Sequence, residues 1–336
     1  MLLNIFHKSI ASAREVAGNY YLESVISIVK ELDNYQQQDS TLKKYKNDLS
    51  DILTCNNSGL DSKLTNNFIQ LLGESYFYMT CLKKGIQIKK IKEKYNQNTP
   101  DFQLANSQLD AWFEVKTLSV VDGDIGVDRA LEERFQAMYD LEKQKNNGNQ
   151  VLASTSIIQP YGEKPYTLGL IKSILETLHN KFLNNFKSGQ FKNKPTFLVL
   201  NFAMLPPFKT DSCVLRPAYC DDYLFPKAIS GDLWMLSFAK PGMLIFGQPE
   251  FEGKPCIEGF SITNGLLNEY EVIDGIIFMI FPMQNKPELW GTFRSKDFHN
   301  WENTNKPIKR LLLKLVSSNW NDELDTNGFQ LSKKIL

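Results

Sequence analysis

Apolar residues recur at three- and four-residue intervals through the first part of the chain, which is the spacing of an amphipathic helix. One helix is predicted from about residue 10 to 32, and a shorter helix follows a polar break. We interpret residues 1–58 as a helical unit on this basis. A stronger helical pattern then runs from residue 60 to Gly85, and glycine is the residue type that commonly ends a helix.

Beyond this long helix the pattern changes to short strands. The segments 86–94, 99–104 and 111–117 are separated by turns rich in Asn, Gln and Ser, and they predict a β-meander packed on the preceding helix. Two later segments, 194–203 and 271–283, are near-continuous apolar runs. Such runs are typical of strands that are buried on both faces.

The order of helices and strands predicts an α/β fold. An amphipathic helix is predicted at 167–189, directly before the apolar run at 194–203, and a helix followed by a buried strand indicates an α/β crossover. The segments at about 118–166 and 204–270 interrupt this order. We interpret them as two insertions into one domain that extends over residues 59–336.

The charge balance gives no overall attraction to nucleic acid or to membranes. The 336 residues include 38 Lys plus Arg and 38 Asp plus Glu, so an anionic partner has to be met by a local patch. Five cysteines without a Cys-x-x-Cys pair and three histidines argue against a structural zinc site. Because the chain has no basic signal region and no 18-residue apolar run, we expect a soluble, cytoplasmic protein that does not bind membranes.

Two charged residues fall on one face of the predicted strand at 111–117. Side chains alternate along a strand, so Glu114 and Lys116 share a face while Val115 points to the other. The same alternation on the neighbouring strand presents Asp101 beside Glu114. The alternative interpretation is a solvent-exposed ion pair on an edge strand, where Glu and Lys often occur together without a functional role.

Two carboxylates and a main-chain carbonyl in one place would suit a hard cation. Asp101, Glu114 and the Val115 carbonyl would form an oxygen-lined pocket of the kind that Mg²⁺ prefers, with waters completing an octahedron. Such a metal polarises a phosphodiester and lowers the pKa of water. Lys116 would add a positive charge that orients the attacking water or stabilises charge in the transition state.

Pro100-Asp101 followed by Glu114-Val115-Lys116 resembles the motif of the PD-(D/E)XK nuclease superfamily. The helix and strand order over about 63–203, with 271–283 as a further strand, is similar to the superfamily's α-β-β-β-α-β order. The resemblance implies a restriction-endonuclease-like mixed sheet flanked by helices, and hydrolysis of phosphodiester bonds with Mg²⁺, for which Mn²⁺ substitutes.

The resemblance also implies roles for individual residues. Asp101 and Glu114 match the catalytic metal-binding carboxylates, with Val115 as a third ligand, and Lys116 matches the catalytic lysine. Many superfamily members carry a glutamate on the helix before the first strand, and Glu74 matches that position.

The segment 83–94 is rich in lysine. Because it lies next to the proposed site along the chain, its lysines are predicted to contact a nucleic-acid backbone. An equally weighted alternative is a solvated edge strand that lysines protect from pairing with other chains. The predicted contact residues are Lys83, Lys84, Lys89 and Lys90.

The expected function is a Mg²⁺-dependent DNA endonuclease of the restriction or genome-defence type. The segments 1–58 and 204–270 would then serve target recognition or formation of a homodimer. One alternative is a catalytically inactive nucleic-acid-binding or assembly protein on the same scaffold. Another is a nuclease that cleaves RNA or branched DNA, since the metal chemistry would be the same.

Overall fold

The computed structural model describes fifteen segments of the chain, and they form a mixed α/β protein. The predicted helix at 167–189 lies outside them. The described residues are 2–16, 25–35, 39–54, 62–92, 99–105, 110–118, 138–148, 195–203, 218–220, 227–229, 231–246, 257–281, 287–294, 306–317 and 319–323.

The chain divides into two compact units. One unit comprises Met1–Tyr76, Thr117–Thr167 and Ala203–Pro206, and the other comprises Phe77–Lys116, Leu168–Phe202 and Pro207–Leu336. The helices of the described part are α1 (Leu2–Val16), α2 (Ile26–Asn34), α3 (Ser40–Thr54), α4 (Ser62–Lys83), α5 (138–146), α6 (Asp232–Phe238), α7 (Leu266–Glu269) and α8 (Lys306–Val316). None of these helices is long and apolar enough to cross a membrane.

Helices α1, α2, α3 and the start of α4 belong to the first unit. Phe6 of α1 stacks on Phe68 of α4, with 5.5 Å between ring centroids, and both rings are fully buried. The carboxylate of Asp33 in α2 accepts the backbone N–H groups of Leu2 and Leu3, and thereby satisfies free donors at the start of α1.

The predicted single helix from about 10 to 32 is wrong. Two helices cover this region, α1 and α2, with residues 17–24 outside the described part, and α1 begins already at Leu2. The start of α1 is stabilised by Asp33, which lies 31 residues further along the chain than Leu2. A contact of that range leaves no signal in the local spacing of apolar residues.

The second unit is built on a seven-stranded sheet with the order β1-β2-β3-β4-β9-β10-β11. Two pairs of strands, β5-β6 and β7-β8, form separate two-stranded sheets. The strands are β1 (Ile88–Lys90), β2 (Phe102–Leu104), β3 (Trp112–Thr117), β4 (Thr196–Asn201), β5 (Ala218–Cys220), β6 (Lys227–Ile229), β7 (Leu244–Phe246), β8 (Ile257–Phe260), β9 (Gly275–Ile280), β10 (Glu288–Phe293) and β11 (Trp320–Asp322).

The large sheet contains both parallel and antiparallel pairs. Strands β1, β2 and β3 are antiparallel neighbours, as the predicted meander requires. Strands β4 and β9 pair in parallel and are buried along their whole length, which confirms the two predicted buried strands. Strand β10 runs antiparallel to β9, and β11 runs parallel to β10.

A row of buried phenylalanines joins the end of α4 to one face of this sheet. The ring of Phe77 lies 5.9 Å from that of Phe102 and 5.4 Å from that of Phe113, measured between centroids. The row continues from Phe113 to Phe197 at 5.6 Å and from there to Phe293 at 6.3 Å. Since side chains alternate along β3, Phe113 faces this core and its neighbour Glu114 is directed to the opposite face.

Helix α4 ends as predicted, and the residue after it anchors α8. Gly85 adopts a positive φ of 66°, which an L residue with a side chain tolerates poorly. The Lys84 ammonium donates to the carbonyls of Lys314 and Leu315 at 3.0 and 2.8 Å and to the Ser317 hydroxyl at 3.2 Å. A positive charge is favourable there because the C-terminus of a helix carries partial negative charge.

We expect Lys84→Met to lower the free energy of unfolding by about 1 kcal/mol, because the last carbonyls of α8 lose their donor. Chemical denaturation with circular dichroism measures this loss. Lys89→Met is the matched control, since Lys89 is exposed on β1 and its replacement should change stability by less than about 0.5 kcal/mol. Equal stability of the two variants would show that the Lys84 contacts are not stabilising.

Candidate active site

Asp101 and Glu114 are held side by side by the pairing of β2 with β3. Phe102 of β2 pairs with Phe113 of β3 in the antiparallel register, which places Asp101, just before β2, opposite Glu114 of β3. The backbone N–H of Asp101 donates to Glu114 Oε2 at 3.2 Å. In return the backbone N–H of Val115 donates to Asp101 Oδ2 at 2.8 Å. The structure thus brings together the two carboxylates that strand alternation predicts as neighbours.

Lys116 completes this arrangement from the same strand. Its ammonium lies 2.5 Å from Glu114 Oε1, which confirms that the two side chains share a face of β3. The Glu114 side chain is only 3% exposed, whereas that of Lys116 is 35% exposed. The pair therefore has a buried acidic end and a cationic end that reaches solvent.

The alternative of a solvent-exposed ion pair on an edge strand is wrong. Strand β3 lies in the interior of the sheet, between β2 and β4, and the Trp112 backbone N–H donates to the Pro195 carbonyl at 2.9 Å. The Glu114 carboxylate is buried as well. Burying an ion pair costs several kcal/mol of desolvation for each ion, so this pair is not an incidental surface contact.

A second lysine enters the site from β1. Lys90 pairs in register with Phe102, and its ammonium lies 2.8 Å from Asp101 Oδ1. The same ammonium lies 5.0 Å from the centroid of the Phe102 ring, within the range of a cation–π interaction. The sequence predicted Lys90 only as a contact for a phosphate backbone. The strand pattern gave no signal for this contact, because alternation places Lys90 on the face of its partner Phe102 and not on that of Asp101.

The electrostatics of the site are dominated by the burial of Glu114. Burial, and after it the negative charge of Asp101, raise the pKa of Glu114 to about 7, against the opposing effects of Lys116 and of the hydrogen bond from the Asp101 amide. Each of the four carboxylate oxygens nonetheless has a donor. These donors are the ammonium groups of Lys90 and Lys116 and the backbone N–H groups of Asp101 and Val115.

The donor set fits a divalent cation with a preference for oxygen. In the part of the chain that the structure describes, no cluster of three or more His, Cys, Asp or Glu side chains could hold a metal, so this site offers a pair of carboxylates. Mg²⁺ is commonly bound by one or two carboxylates, with waters and substrate oxygens as the other ligands. The pKa of Glu114 is raised first by burial and then by repulsion from Asp101, and a cation bound to both carboxylates would relieve that repulsion.

The roles predicted for the Val115 carbonyl and for Glu74 stay predictions. For Val115 the structure shows that its amide is bonded to Asp101. Glu74 lies on α4 in the first unit, where it is 8% exposed and its Oε2 accepts a hydrogen bond of 3.1 Å from the Tyr45 hydroxyl. Tyr45 of α3 therefore provides the polar partner that the buried Glu74 carboxylate requires.

The lysines predicted to contact phosphate have different surroundings. Lys90 lies against Asp101, and Lys84 is bonded to the C-terminal end of α8. Lys83 and Lys89 are exposed. Their contact with nucleic acid stays a prediction.

Comparison of the chain with protein-family models, with curated proteins and with solved structures found no match.

The raised pKa of Glu114 predicts a loss of stability as the pH rises. The folded protein holds this proton up to a pH of about 7, whereas an unfolded chain releases it near pH 4.5, the ordinary pKa of a glutamate. The folded state therefore binds more protons between these two pH values, and the free energy of unfolding falls with increasing pH by about 3 kcal/mol. Glu114→Gln removes this titration, so the stability of the variant relative to the parent should rise between pH 5 and pH 8.

Urea denaturation at the two pH values, without divalent cations, measures this difference. Glu271→Gln is the control, because Glu271 is exposed and the same change of charge is made outside the site. If Glu114→Gln and the parent show parallel stability profiles across this pH range, Glu114 does not carry the raised pKa.

Proposed function

We propose that the protein is a metal-dependent nuclease that hydrolyses phosphodiester bonds in DNA. One observation supports this most strongly: the buried Glu114 carboxylate, on an interior strand, contacts the Lys116 ammonium and the backbone N–H of Asp101, whose own carboxylate is bonded to the adjacent Val115 amide. A buried carboxylate whose pKa is raised by desolvation and by a neighbouring carboxylate is costly for a structure, and such groups occur preferentially at functional sites.

The mixed sheet flanked by helices supports the finer fold assignment, a restriction-endonuclease-like core. In such a core the meander β1-β2-β3 presents the acidic residues, and the inner strands β4 and β9 provide a rigid support. A rigid support matters because a displacement of about 1 Å can cost a catalytic site on the order of 100-fold in rate.

Asp101 and Glu114 would hold the cation, together with the Val115 carbonyl. When bound, Mg²⁺ or Mn²⁺ would polarise the phosphodiester and acidify a water molecule. The protein would contribute three things of its own: fixed carboxylate oxygens, shielding of Glu114 from bulk water, and the positive charge of Lys116.

Lys116 is suited to act on the phosphate because its ammonium is partly exposed. Its contact with Glu114 fixes one side of the ammonium group, and the exposed side faces solvent, from which a phosphodiester would approach. A lysine carries three N–H donors and a compact charge, so it can orient the attacking water and stabilise the charge that develops on the phosphate oxygens.

DNA is proposed as the substrate because of the resemblance to restriction-type nucleases. The formal net charge is zero, so phosphate contacts would come from local lysines such as Lys83, Lys89 and Lys90. Restriction or genome defence, action in the cytoplasm and assembly as a homodimer belong to the same proposal. Cleavage of RNA or of branched DNA would use the same carboxylates, so a substrate panel distinguishes these possibilities.

The first test is cleavage of duplex DNA, single-stranded DNA, branched DNA and RNA with Mg²⁺, Mn²⁺ or EDTA. We expect cleavage with either metal and none in EDTA. Asp101→Asn should abolish cleavage, and Lys116→Met should lower the rate at least about 100-fold, because the cation site and the water-orienting charge are lost.

The matched control is Asp110→Asn, which replaces a different aspartate of the meander, one that accepts a hydrogen bond from the Gln103 side chain. Thermal melts establish that all variants fold. Should folded Asp101→Asn or Lys116→Met cut within a few-fold of the parent, or should EDTA leave the parent active, the metal-dependent mechanism is excluded. A protein that binds nucleic acid in a gel shift but cuts none of the substrates would instead be the inactive scaffold protein.

Glu74 is a further prediction from the resemblance. If Glu74 orients water in the reaction, Glu74→Gln should lower the cleavage rate by roughly 10- to 100-fold. The glutamine still offers an acceptor to the Tyr45 hydroxyl, so the melting temperature should change little. Tyr45→Phe is the matched variant, because it removes the hydrogen bond and keeps the carboxylate. If Glu74→Gln cuts at the parental rate, or at the same rate as Tyr45→Phe, Glu74 is structural.

A further inference from the structure

The candidate site contains two lysine–carboxylate pairs, of which the motif accounts for one. Lys116 binds Glu114 within β3, and Lys90 binds Asp101 from β1 to β2. The Lys90 and Asp101 side chains are 31% and 17% exposed, so this second pair lies closer to solvent than Glu114 does.

Strand pairing brings Lys90 close to Asp101. Lys90 is the partner of Phe102 in the register of β1 and β2, and the pairing continues beyond the strands through the Ile91 backbone N–H, which donates to the Asp101 carbonyl at 2.9 Å. Lys89 precedes Lys90 and is exposed. Alternation along β1 places Lys90 on the face of its partner Phe102, over whose ring its ammonium lies, so the length and flexibility of the Lys90 side chain let the ammonium reach Asp101.

The two oxygens of Asp101 are held in different ways. Oδ2 accepts a backbone N–H, that of Val115, and a backbone donor in a sheet interior cannot move away. Oδ1 accepts the Lys90 ammonium, which sits at the end of a flexible side chain. Of these two contacts, only the one from Lys90 is readily exchanged for another cation.

We propose that Lys90 is an exchangeable counter-ion of Asp101, which a divalent cation displaces from Oδ1 when it binds the paired carboxylates. The divalent cation follows from the proposed function, but displacement of Lys90 does not require catalysis. Lys90 would keep Asp101 neutralised until the cation binds, and it would lower the affinity of the site for that cation. The partial exposure of Lys90 leaves its ammonium a path into solvent after exchange.

The test is calorimetric titration with Mn²⁺ of the full-length parent and three variants, without nucleic acid and at fixed pH and salt. Lys90→Met should bind Mn²⁺ roughly 3- to 10-fold more tightly, because the competing charge is gone. Lys90→Arg should bind no more tightly than the parent, because a guanidinium holds a carboxylate at least as well as an ammonium does. Lys89→Met removes the same charge from the exposed side of β1 and should change the affinity less than about 2-fold.

A second readout is the rise in melting temperature on adding Mn²⁺, which should be larger for Lys90→Met than for the parent. The proposal is overturned if Lys90→Met binds Mn²⁺ with equal or lower affinity, if Lys89→Met gains as much as Lys90→Met, or if neither the parent nor Lys90→Met binds Mn²⁺ at millimolar concentration.

These outcomes are separate from the fate of the proposed nuclease activity. If the affinities follow the expected order and no nucleic acid is cut, the counter-ion role stands and the nuclease proposal fails. If cleavage occurs and Lys90→Met has the parental affinity for Mn²⁺, the counter-ion role alone fails.

Discussion

The reciprocal bonding between Asp101 and Glu114 is the constraint on which the candidate site depends. The backbone N–H of Asp101 donates to the Glu114 carboxylate, and the backbone N–H of Val115, the residue after Glu114, donates to the Asp101 carboxylate. These bonds hold two like charges at close range, against a repulsion that helps to raise the pKa of Glu114. A one-residue change in the register of β2 and β3 would move Asp101 to the other face of the sheet and separate it from Glu114.

Hydrophobic packing on the opposite face of the sheet supports this unfavourable arrangement. Phe113 is in contact with Phe77 of α4 and with Phe197 of β4, and all three rings are buried. Burial of a phenylalanine side chain contributes about 1.5–3 kcal/mol, so a row of such residues offsets the desolvation of one carboxylate. Successive residues of β3 therefore alternate between the two faces of the sheet, with Phe113 directed to the hydrophobic core and Glu114 to the candidate site.

The lysines of the meander region contact different groups. Lys84 is bonded to the end of α8, whereas Lys90 and Lys116 each bind one carboxylate. Lysines that are close in sequence therefore have different binding partners. The number of lysines in a segment does not give the positive charge that a ligand would meet there. The site itself combines two carboxylates with two ammonium groups, a balance that a bound cation and an anionic substrate would both alter.

Local pattern determined much of this protein: the long helix ending at Gly85, the meander, the buried strands β4 and β9, and the adjacency of Asp101 and Glu114. These features follow from spacing and strand alternation, which act between near neighbours. Strands β10 and β11 escaped prediction; β10 is buried almost throughout, but its sequence contains Glu, Gly and Thr and so lacks the continuous apolar run that marked β4 and β9. The start of α1 at Leu2, the attachment of Lys84 to α8 and the pairing of Lys90 with Asp101 were decided by the tertiary structure. Each depends on a contact between separate elements, and only the folded chain brings those groups within hydrogen-bonding distance.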